Sequence, residues 1–315
     1  MDFKKITDQL NIFAQCRRYG LPIWQCPQFI FLIMGVVIIA TALITYSLGT
    51  RYVADPSTVS LIVFVLTIIL FVLTFSITRS LEGLAEANRL KSEFISVVSH
   101  QLRSPLSNLK WAIELLLSSR LGKIEAKQGE YFKILKDNTI RMGELIADLL
   151  TVSRIEQGRL PLYKTEFSLQ DLVKEIIAEF EPLAKSSNIK IKLEVANALP
   201  KVFADTSRIK MVAENFLDNA IRYIKGKGEV KIKIESKNKR LLFSVQDNGV
   251  GIPQKDQRYI FQKFFRSQNV LKYQTRGSGL GLYIAKSLVE RSGGKIGFKS
   301  KENKGSTFWF TLPTK

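Results

Sequence analysis

Two nearly uncharged apolar runs near the N-terminus constrain the fold of this 315-residue chain more than any other feature. Residues 29–48 and 59–78 are each about 20 residues long, enough to cross about 30 Å of hydrocarbon as a helix. The alternative is a pair of buried core helices, but such helices usually show a polar stripe and these runs do not. We therefore predict two transmembrane helices joined by a short external loop at 49–58.

The charges around the two runs predict their orientation. The loop contains only Arg51 and Asp55 as charged residues, whereas basic residues flank the pair on both sides: Lys4, Lys5, Arg17 and Arg18 before it, and Arg79, Arg89 and Lys91 after it. The positive-inside rule then places both termini in the cytoplasm, with 1–28 as a cytoplasmic N-terminal segment. We predict a multi-pass protein of the cell membrane whose external loop is too short to be a folded ligand-binding domain.

The single histidine of the chain, His100, lies in a segment with a heptad pattern. Apolar positions recur in alternating steps of three and four, as on the contact face of a bundled helix: Ile95, Val98, Leu102, Pro105, Leu109, Ala112 and Leu116. The same phase extends back through a linker at 79–92, so we predict one signalling helix that continues from the second span and kinks near Pro105.

His100 lies about 200° around the helix from its seam neighbours and should face away from the seam. A neutral imidazole nitrogen can attack a γ-phosphoryl group there, although a lone histidine is often only a solvated or core side chain.

A second helix with the same kind of pattern follows Gly122. Its apolar stripe steps by four and three: Tyr131, Leu135, Asn138, Met142, Leu145, Leu149 and Val152. A hairpin of two such helices cannot bury its own stripe, whereas two copies can form a four-helix bundle. We therefore predict that residues 93–158 form an α-helical dimerisation hairpin that carries His100, and that the chain is a homodimer.

From residue 161 the pattern changes to mixed helices and strands. Ser168 is a candidate N-cap of an amphipathic helix. Apolar and polar residues alternate, as in half-buried strands, at 189–193, 230–234 and 241–245. We predict an α/β sandwich over 161–315, with one helical layer on a largely antiparallel sheet. The lysines on these strands are more simply explained as a solvated face than as a nucleic-acid surface.

Three short motifs in this domain carry polar or glycine-rich chemistry. Asn215 and Asn219 share one face of a helix, where amide oxygens can complete a Mg²⁺ shell with phosphate oxygens and water. Asp247 follows a strand and can accept a hydrogen bond from an exocyclic amine. The glycine-rich turn 277–281 opens an apolar helix, whose N-terminal amides can hold phosphates. Each motif alone is weak, and the order of the motifs along the chain is the specific signal.

Together with the segment around His100, these motifs make the chain similar to the membrane-bound sensor histidine kinases of two-component signalling. The residues from His100 through Arg103 to Pro105 resemble their phosphoacceptor box. The later boxes follow in the family's order: 215–219, 247–251, Phe261 with Phe264 and Phe265, 277–281, and Gly305 with Thr307. The resemblance covers nearly all of residues 80–315. It implies that the C-terminal domain has the ATP-binding (Bergerat) fold shared with gyrase B, the Hsp90 chaperone and the MutL repair protein.

The resemblance also implies roles for individual residues. His100 would take the γ-phosphoryl group of ATP and pass it to an aspartate of a cognate response regulator, with Gln101 and Arg103 beside it in the catalytic site. ATP and Mg²⁺ would be the cofactors, with Asn215 and Asn219 as the metal ligands and residues 266–279 as a flexible lid. The implied nucleotide-binding residues are Asn215, Asn219, Arg222, Tyr223, Asp247, Gly249, Gly251, Arg266, Gly277, Gly279, Gly281 and Thr307.

One residue departs from the family's pattern. The family most often has Glu or Asp directly after the histidine, where a carboxylate takes the imidazole proton, but this chain has Gln101. An amide can orient the ring and cannot act as a base near neutral pH. An ATP-binding membrane signalling scaffold with weak or no phosphotransfer therefore stays open as an alternative. A conformational ATPase of the gyrase or Hsp90 kind is another, and Glu214 would be its candidate water-activating acid.

The net charge of the chain bears on its partners. Lys and Arg outnumber Asp and Glu by 47 to 28, which gives a formal charge of +19. This excess favours contact with anionic membrane lipid, with ATP and with an acidic surface of the response regulator. We predict no direct contact with nucleic acid.

Overall fold

The computed structural model describes residues 23–53, 55–118, 122, 124–196, 199–237, 239–267 and 277–314. The chain divides into two compact units, one made of residues 1–102 with 156–159 and the other of residues 103–155 with 160–315. The division falls inside a helix, so it differs from the predicted limits of the hairpin and of the C-terminal domain, which stay predictions.

The first unit contains one long apolar helix and the N-terminal part of a second, which continues past residue 102 into the other unit. A 3-10 turn at Ile23–Gln25 precedes α1 (Pro27–Tyr52), and three residues separate the end of α1 from the start of α2 (Pro56–Leu117). Both helices are long and apolar enough to cross a membrane, and only 6% and 11% of the residues in their most apolar windows are buried. A core helix of a soluble domain would be mostly buried. Both helices therefore agree in length, composition and exposure with the predicted spans.

The two apolar helices contact each other at both ends. Gly49 lies so close to Val59 that an added Cβ would be 2.6 Å from a Val59 methyl group. At the opposite end, Gln28 Nε2 donates a hydrogen bond to Glu82 Oε1 at 3.1 Å. Helix α2 runs without a break through the linker 79–92, and it does not end at Pro105.

The second unit contains the rest of the hairpin. Helix α3 (Ala126–Glu156) follows α2, and Lys136 Nζ lies 3.7 Å from Glu114 Oε1 across the pair. Three residues of the predicted seam are about half exposed: Leu109, Leu135 and Met142, at 47%, 48% and 50%. The single chain thus leaves part of the apolar stripe of its hairpin uncovered.

The C-terminal part of this unit is an α/β sandwich, which confirms the predicted fold class. A sheet of five strands has the order β2-β4-β5-β7-β6, with β2 parallel to β4 and every other pair antiparallel. Strands β1 and β3 form a separate antiparallel pair. The strands are β1 (Thr165–Phe167), β2 (Ile189–Val195), β3 (Val202–Ala204), β4 (Gly228–Lys237), β5 (Arg240–Asp247), β6 (Lys295–Lys301) and β7 (Gly305–Pro313). The helices are α4 (Leu169–Ser186), α5 (Thr206–Arg222), the single turn α6 (Gln254–Gln257) and α7 (Gly281–Arg291).

Aromatic packing centres the core between α5 and the sheet. Phe216 of α5 is fully buried, and its ring centroid lies 5.5 Å from that of Phe308 and 6.1 Å from that of Phe310. Helix α4 begins as predicted, because Ser168 Oγ accepts a hydrogen bond from the Asp171 N–H at 3.2 Å. This core fixes α5, which carries the predicted asparagine pair.

The strand lysines form ion pairs with glutamates across and along the sheet. Three Nζ to carboxylate distances are 2.7 Å, for Lys192 with Glu229, Lys231 with Glu194, and Lys233 with Glu235. Paired charges of this kind are typical of a solvated sheet face.

Candidate functional site

The second unit contains a cavity of about 430 Å³. Its walls come from α5, the segments that follow β5, the turn before α7, the start of β7 and one face of α3. Ten residues predicted to bind nucleotide line it: Asn215, Asn219, Arg222, Tyr223, Asp247, Gly251, Arg266, Gly277, Gly279 and Gly281. The fold therefore brings together residues that the sequence linked only by the order of their motifs.

Asp247 is the buried carboxylate of the cavity. It ends β5 and is only 7% exposed. Its Oδ1 accepts hydrogen bonds from the backbone N–H groups of Gly249 at 2.8 Å and Ser306 at 3.2 Å. Burial raises the pKa of the carboxyl to about 6, while these two hydrogen bonds oppose the rise. At neutral pH Asp247 is thus an ionised acceptor held in place by the backbone, which suits recognition of an exocyclic amine.

Asn215 and Asn219 lie one turn apart on α5. Asn219 Nδ2 donates a hydrogen bond to Asn215 Oδ1 at 3.1 Å, which fixes the two amides relative to each other. Among the described residues, no group of three or more His, Cys, Asp or Glu side chains could hold a metal ion. The amide pair fits a Mg²⁺ ion that arrives with phosphate oxygens and water, rather than one held by protein ligands alone.

The C-terminal end of α5 contributes a cation and a phenol to the cavity. Arg222 Nε donates to Asp218 Oδ1 at 2.6 Å, in a pair one helical turn apart. Burial raises the pKa of the Tyr223 hydroxyl, which therefore stays protonated. The Tyr223 carbonyl accepts a hydrogen bond from the Val250 N–H at 3.0 Å. These contacts hold the end of α5 against the segment that follows Asp247.

The glycine-rich turn packs the start of α7 against α5. Gly279 has a φ of +70°, which glycine adopts without strain. A Cβ on Gly281 would lie 2.1 Å from Asn215 Nδ2, so any side chain at this position would displace the asparagine. The lid predicted at 266–279 is described only at its two ends, since residues 268–276 lie outside the described residues.

The predicted catalytic residues lie on α2. His100, Gln101 and Arg103 are all exposed, as is the seam residue Leu102, so the position of His100 away from the seam stays a prediction. His100 and Gln101 belong to the first unit, whereas Arg103 and the cavity belong to the second.

Two predicted nucleotide-binding residues do not line the cavity. Thr307 does not line the cavity, because Ser306 and Phe308 do and side chains alternate along β7, so its role in binding nucleotide stays a prediction. Gly249 contributes instead its backbone N–H, which binds Asp247. The sequence had not singled out Ser306, although the alternation of β7 was a usable signal.

One wall of the cavity was not predicted at all. It is the face of α3 that bears Asp137, Arg141, Glu144 and Asp148. Asp148 Oδ2 accepts a hydrogen bond from Ser278 Oγ at 2.8 Å. Burial raises the pKa of Asp148, and the hydrogen bond from Ser278 opposes that rise. No motif or period in the sequence connects these two positions.

Glu214, the acid that a conformational ATPase would need, does not line the cavity. Its Oε1 lies 3.9 Å from Lys210 Nζ, which also binds Glu175 and Glu179. Burial raises the pKa of Glu214. The residue thus belongs to an ion-pair cluster, and this placement weakens the conformational-ATPase alternative.

Two family models match the chain. The model of the His Kinase A (phospho-acceptor) domain matches residues 90–158. The model of the histidine kinase-, DNA gyrase B- and HSP90-like ATPase matches residues 204–315. The first match contains His100, and the second contains every residue predicted to bind nucleotide.

Similar curated proteins include larger bacterial sensors. The circadian input-output histidine kinase CikA of Synechococcus elongatus is 34% identical over 229 residues, which are 72% of this chain and 30% of that protein. The sensory/regulatory protein RpfC of Xanthomonas campestris is 31% identical over 245 residues, which are 76% of this chain and 33% of that protein. The chain therefore spans about a third of the length of these relatives.

Two solved structures share the fold over most of the chain. Full-length ShkA in complex with AMPPNP matches with a TM-score of 0.60 and 28% identity, over 70% of this chain and 46% of ShkA. The histidine kinase ThkA in complex with the response regulator protein TrrA matches with a TM-score of 0.51 and 26% identity, over 72% of this chain and 64% of that chain.

Proposed function

The chain belongs to the sensor histidine kinases, and from that premise we propose that it phosphorylates itself on His100 with ATP and passes the phosphoryl group to an aspartate of a response regulator. One observation carries the proposal. A buried carboxylate and a pair of asparagine amides line one cavity, in a chain whose only histidine is exposed on a helix.

We assign the binding of ATP to the cavity residues. Ionised Asp247 accepts a hydrogen bond from the adenine amine, and Arg222 and Arg266 attract the phosphates. Asn215 and Asn219 would hold Mg²⁺, which neutralises phosphate charge when it is bound. The structure of ShkA with AMPPNP supports ATP as the nucleotide, because that kinase shares the fold.

The chemistry at His100 needs no deprotonation before attack. A ring nitrogen gives its lone pair to the γ-phosphorus, the bond from this phosphorus to the β,γ-bridging oxygen breaks, and ADP leaves with the electron pair. The other ring nitrogen then loses its proton. In the second step an aspartate oxygen of the regulator attacks the phosphorus, the P–N bond breaks, and the imidazole takes up a proton.

Gln101 determines where the first proton goes. Its amide cannot act as a base, so the proton passes to water. A general base at such a position typically contributes 10² to 10⁴-fold, and we therefore expect slow autophosphorylation.

We propose that two copies of the chain form a four-helix bundle. The half-exposed seam residues Leu109, Leu135 and Met142 support this, because a monomer would leave their apolar surface in water. The two apolar helices support a position in the cell membrane with both termini in the cytoplasm and with lipid contact. The strand lysines are paired with glutamates, and we therefore propose that the chain does not contact nucleic acid directly.

The partner that we propose is a cognate response regulator. The structure of ThkA with TrrA supports this class of partner, because ThkA shares the fold over most of this chain. The acceptor would be an aspartate carboxylate, and the positive charge of the chain favours an acidic surface around it.

The decisive experiment follows label from γ-labelled ATP into the full chain in detergent or bilayer discs. We expect acid-labile label in the wild type and none in His100→Ala, with AMPPNP binding unchanged in both. Gln101→Glu should label at least about tenfold faster, because a carboxylate can take the proton.

The scaffold alternative predicts a different result. It is favoured by Gln101 alone, and it predicts AMPPNP binding without label in the wild type, in Gln101→Glu and in His100→Ala. That outcome would replace the kinase proposal.

A further inference from the structure

Asp148 links the helical hairpin to the turn that precedes α7. Its Oδ2 accepts a hydrogen bond from Ser278 Oγ at 2.8 Å, and both residues line the nucleotide cavity. Asp148 comes from α3, whereas Ser278 lies between two glycines of the turn. The contact therefore joins two segments that are 130 residues apart in the chain.

The Ser278 hydroxyl is shared between the hairpin and the turn itself. While it donates to Asp148, its oxygen accepts a hydrogen bond from the Leu280 N–H at 3.1 Å. Leu280 is the N-cap residue of α7, is 2% exposed and has no side-chain cap of its own. Because the Ser278 hydroxyl donates a hydrogen bond to a carboxylate, its oxygen becomes a better acceptor for the Leu280 N–H.

The turn is thus held from two sides. On one side Gly281 packs against Asn215 so closely that an added Cβ would be 2.1 Å from its amide nitrogen. On the other side the Asp148 carboxylate fixes the Ser278 hydroxyl. The backbone N–H groups of such a turn bind phosphate only when they converge on one point.

We propose that Asp148 is a positioning residue for nucleotide binding, which acts through Ser278 to hold the turn 277–281 in its phosphate-binding conformation. This inference rests on the proposed function and deepens it, because it makes a residue of the phosphoacceptor hairpin part of the nucleotide site. The affinity for nucleotide then depends on whether α3 contacts the turn.

A competing effect of Asp148 has the opposite sign. Its negative charge in the cavity repels a triphosphate, and removal of the charge alone would strengthen binding. Asp148→Asn separates the two effects, because its amide oxygen can still accept from Ser278 and the charge is lost.

The test measures equilibrium binding of AMPPNP with Mg²⁺ to the full chain, in a His100→Ala background in which no phosphoryl transfer occurs. The variants are Asp148→Ala, Asp148→Asn, Ser278→Ala and the double alanine variant. Glu130→Ala is the matched control, since Glu130 is an exposed acid of α3 that does not line the cavity. Thermal unfolding of each variant checks that it is folded.

We expect Asp148→Ala and Ser278→Ala each to weaken AMPPNP binding about tenfold, and the double variant to be no weaker than Ser278→Ala. Asp148→Asn should stay within about threefold of the wild type, and Glu130→Ala should not change. Tighter binding in both Asp148 variants, losses that multiply in the double variant, or unchanged binding in Asp148→Ala would each overturn the proposal. Failure of the proposed function would look different, as absence of label on His100 while AMPPNP binding is intact.

Discussion

The buried carboxylate of Asp247 makes nucleotide binding depend on pH in a way that can be calculated. Burial raises its pKa to about 6, and only the ionised form accepts fully from an exocyclic amine. With that pKa, about 97% of the carboxyl is ionised at about pH 7.5 and about 9% at about pH 5. Affinity for AMPPNP should therefore fall about tenfold between these two pH values.

The stability of the nucleotide-free chain should change in the opposite direction. The folded-state pKa of Asp247 lies above its ordinary value, so ionisation costs stability at high pH, and that cost disappears as pH falls through about 6 towards about 4. This rise in the pKa of Asp247 corresponds to about 3 kcal/mol in the free energy of unfolding.

Asp247→Asn is the control for both measurements. It should bind AMPPNP more weakly than the wild type at about pH 7.5, and the ratio of the two affinities should approach one as the pH falls to about 5. The phosphates of the nucleotide titrate in both proteins and cancel in this ratio. If the two affinities fell in parallel, the wild-type pH dependence would not come from Asp247, and the buried carboxylate would not control nucleotide affinity.

Three further predictions concern other parts of the chain. Gly281→Ala should displace Asn215 and reduce the Mg²⁺-dependent part of AMPPNP binding, measured by titration with and without the metal; an unchanged metal dependence would contradict the role of the asparagine pair. Leu135→Lys should shift the chain from dimer to monomer in sedimentation experiments, because it places a charge on the apolar seam; a dimer that persists would argue for another interface. Phe216→Ala should lower the free energy of unfolding of the C-terminal domain by about 3 to 5 kcal/mol, because removal of the fully buried ring leaves a cavity beside Phe310. Denaturant titration measures this loss. A loss below about 1 kcal/mol would contradict the central place of Phe216 in the core.

The periodicity of apolar residues and the order of the motifs predicted most of the architecture, because helix packing and helix capping depend on residues that are close together in the sequence. The heptad phase predicted a continuous helix through 79–92, and the cap at Ser168 predicted the start of α4. The pairing of β1 with β3 was not predicted, since strands of three residues have too few positions to show alternation.

The cavity residues were predictable where their spacing within a single helix or strand fixes their relative positions. Asn215 and Asn219 share a helical face by spacing alone, and Asp247 follows directly from its strand. Thr307 was carried over from a motif position without applying the alternation of its strand, which places Ser306 and Phe308 in the cavity wall. Asp148 was missed because its contact with Ser278 depends on tertiary packing, which no local pattern encodes.

The contacts at both ends of the apolar helix pair favour some relative movements of the two helices over others. Only three residues separate Tyr52 from Pro56, and near them the Gly49 backbone abuts Val59. At the far end the Gln28 amide is bonded to Glu82. Sliding one helix past the other would break the Gln28–Glu82 hydrogen bond and separate Gly49 from Val59, whereas a tilt or rotation of the two helices as one unit would keep both contacts.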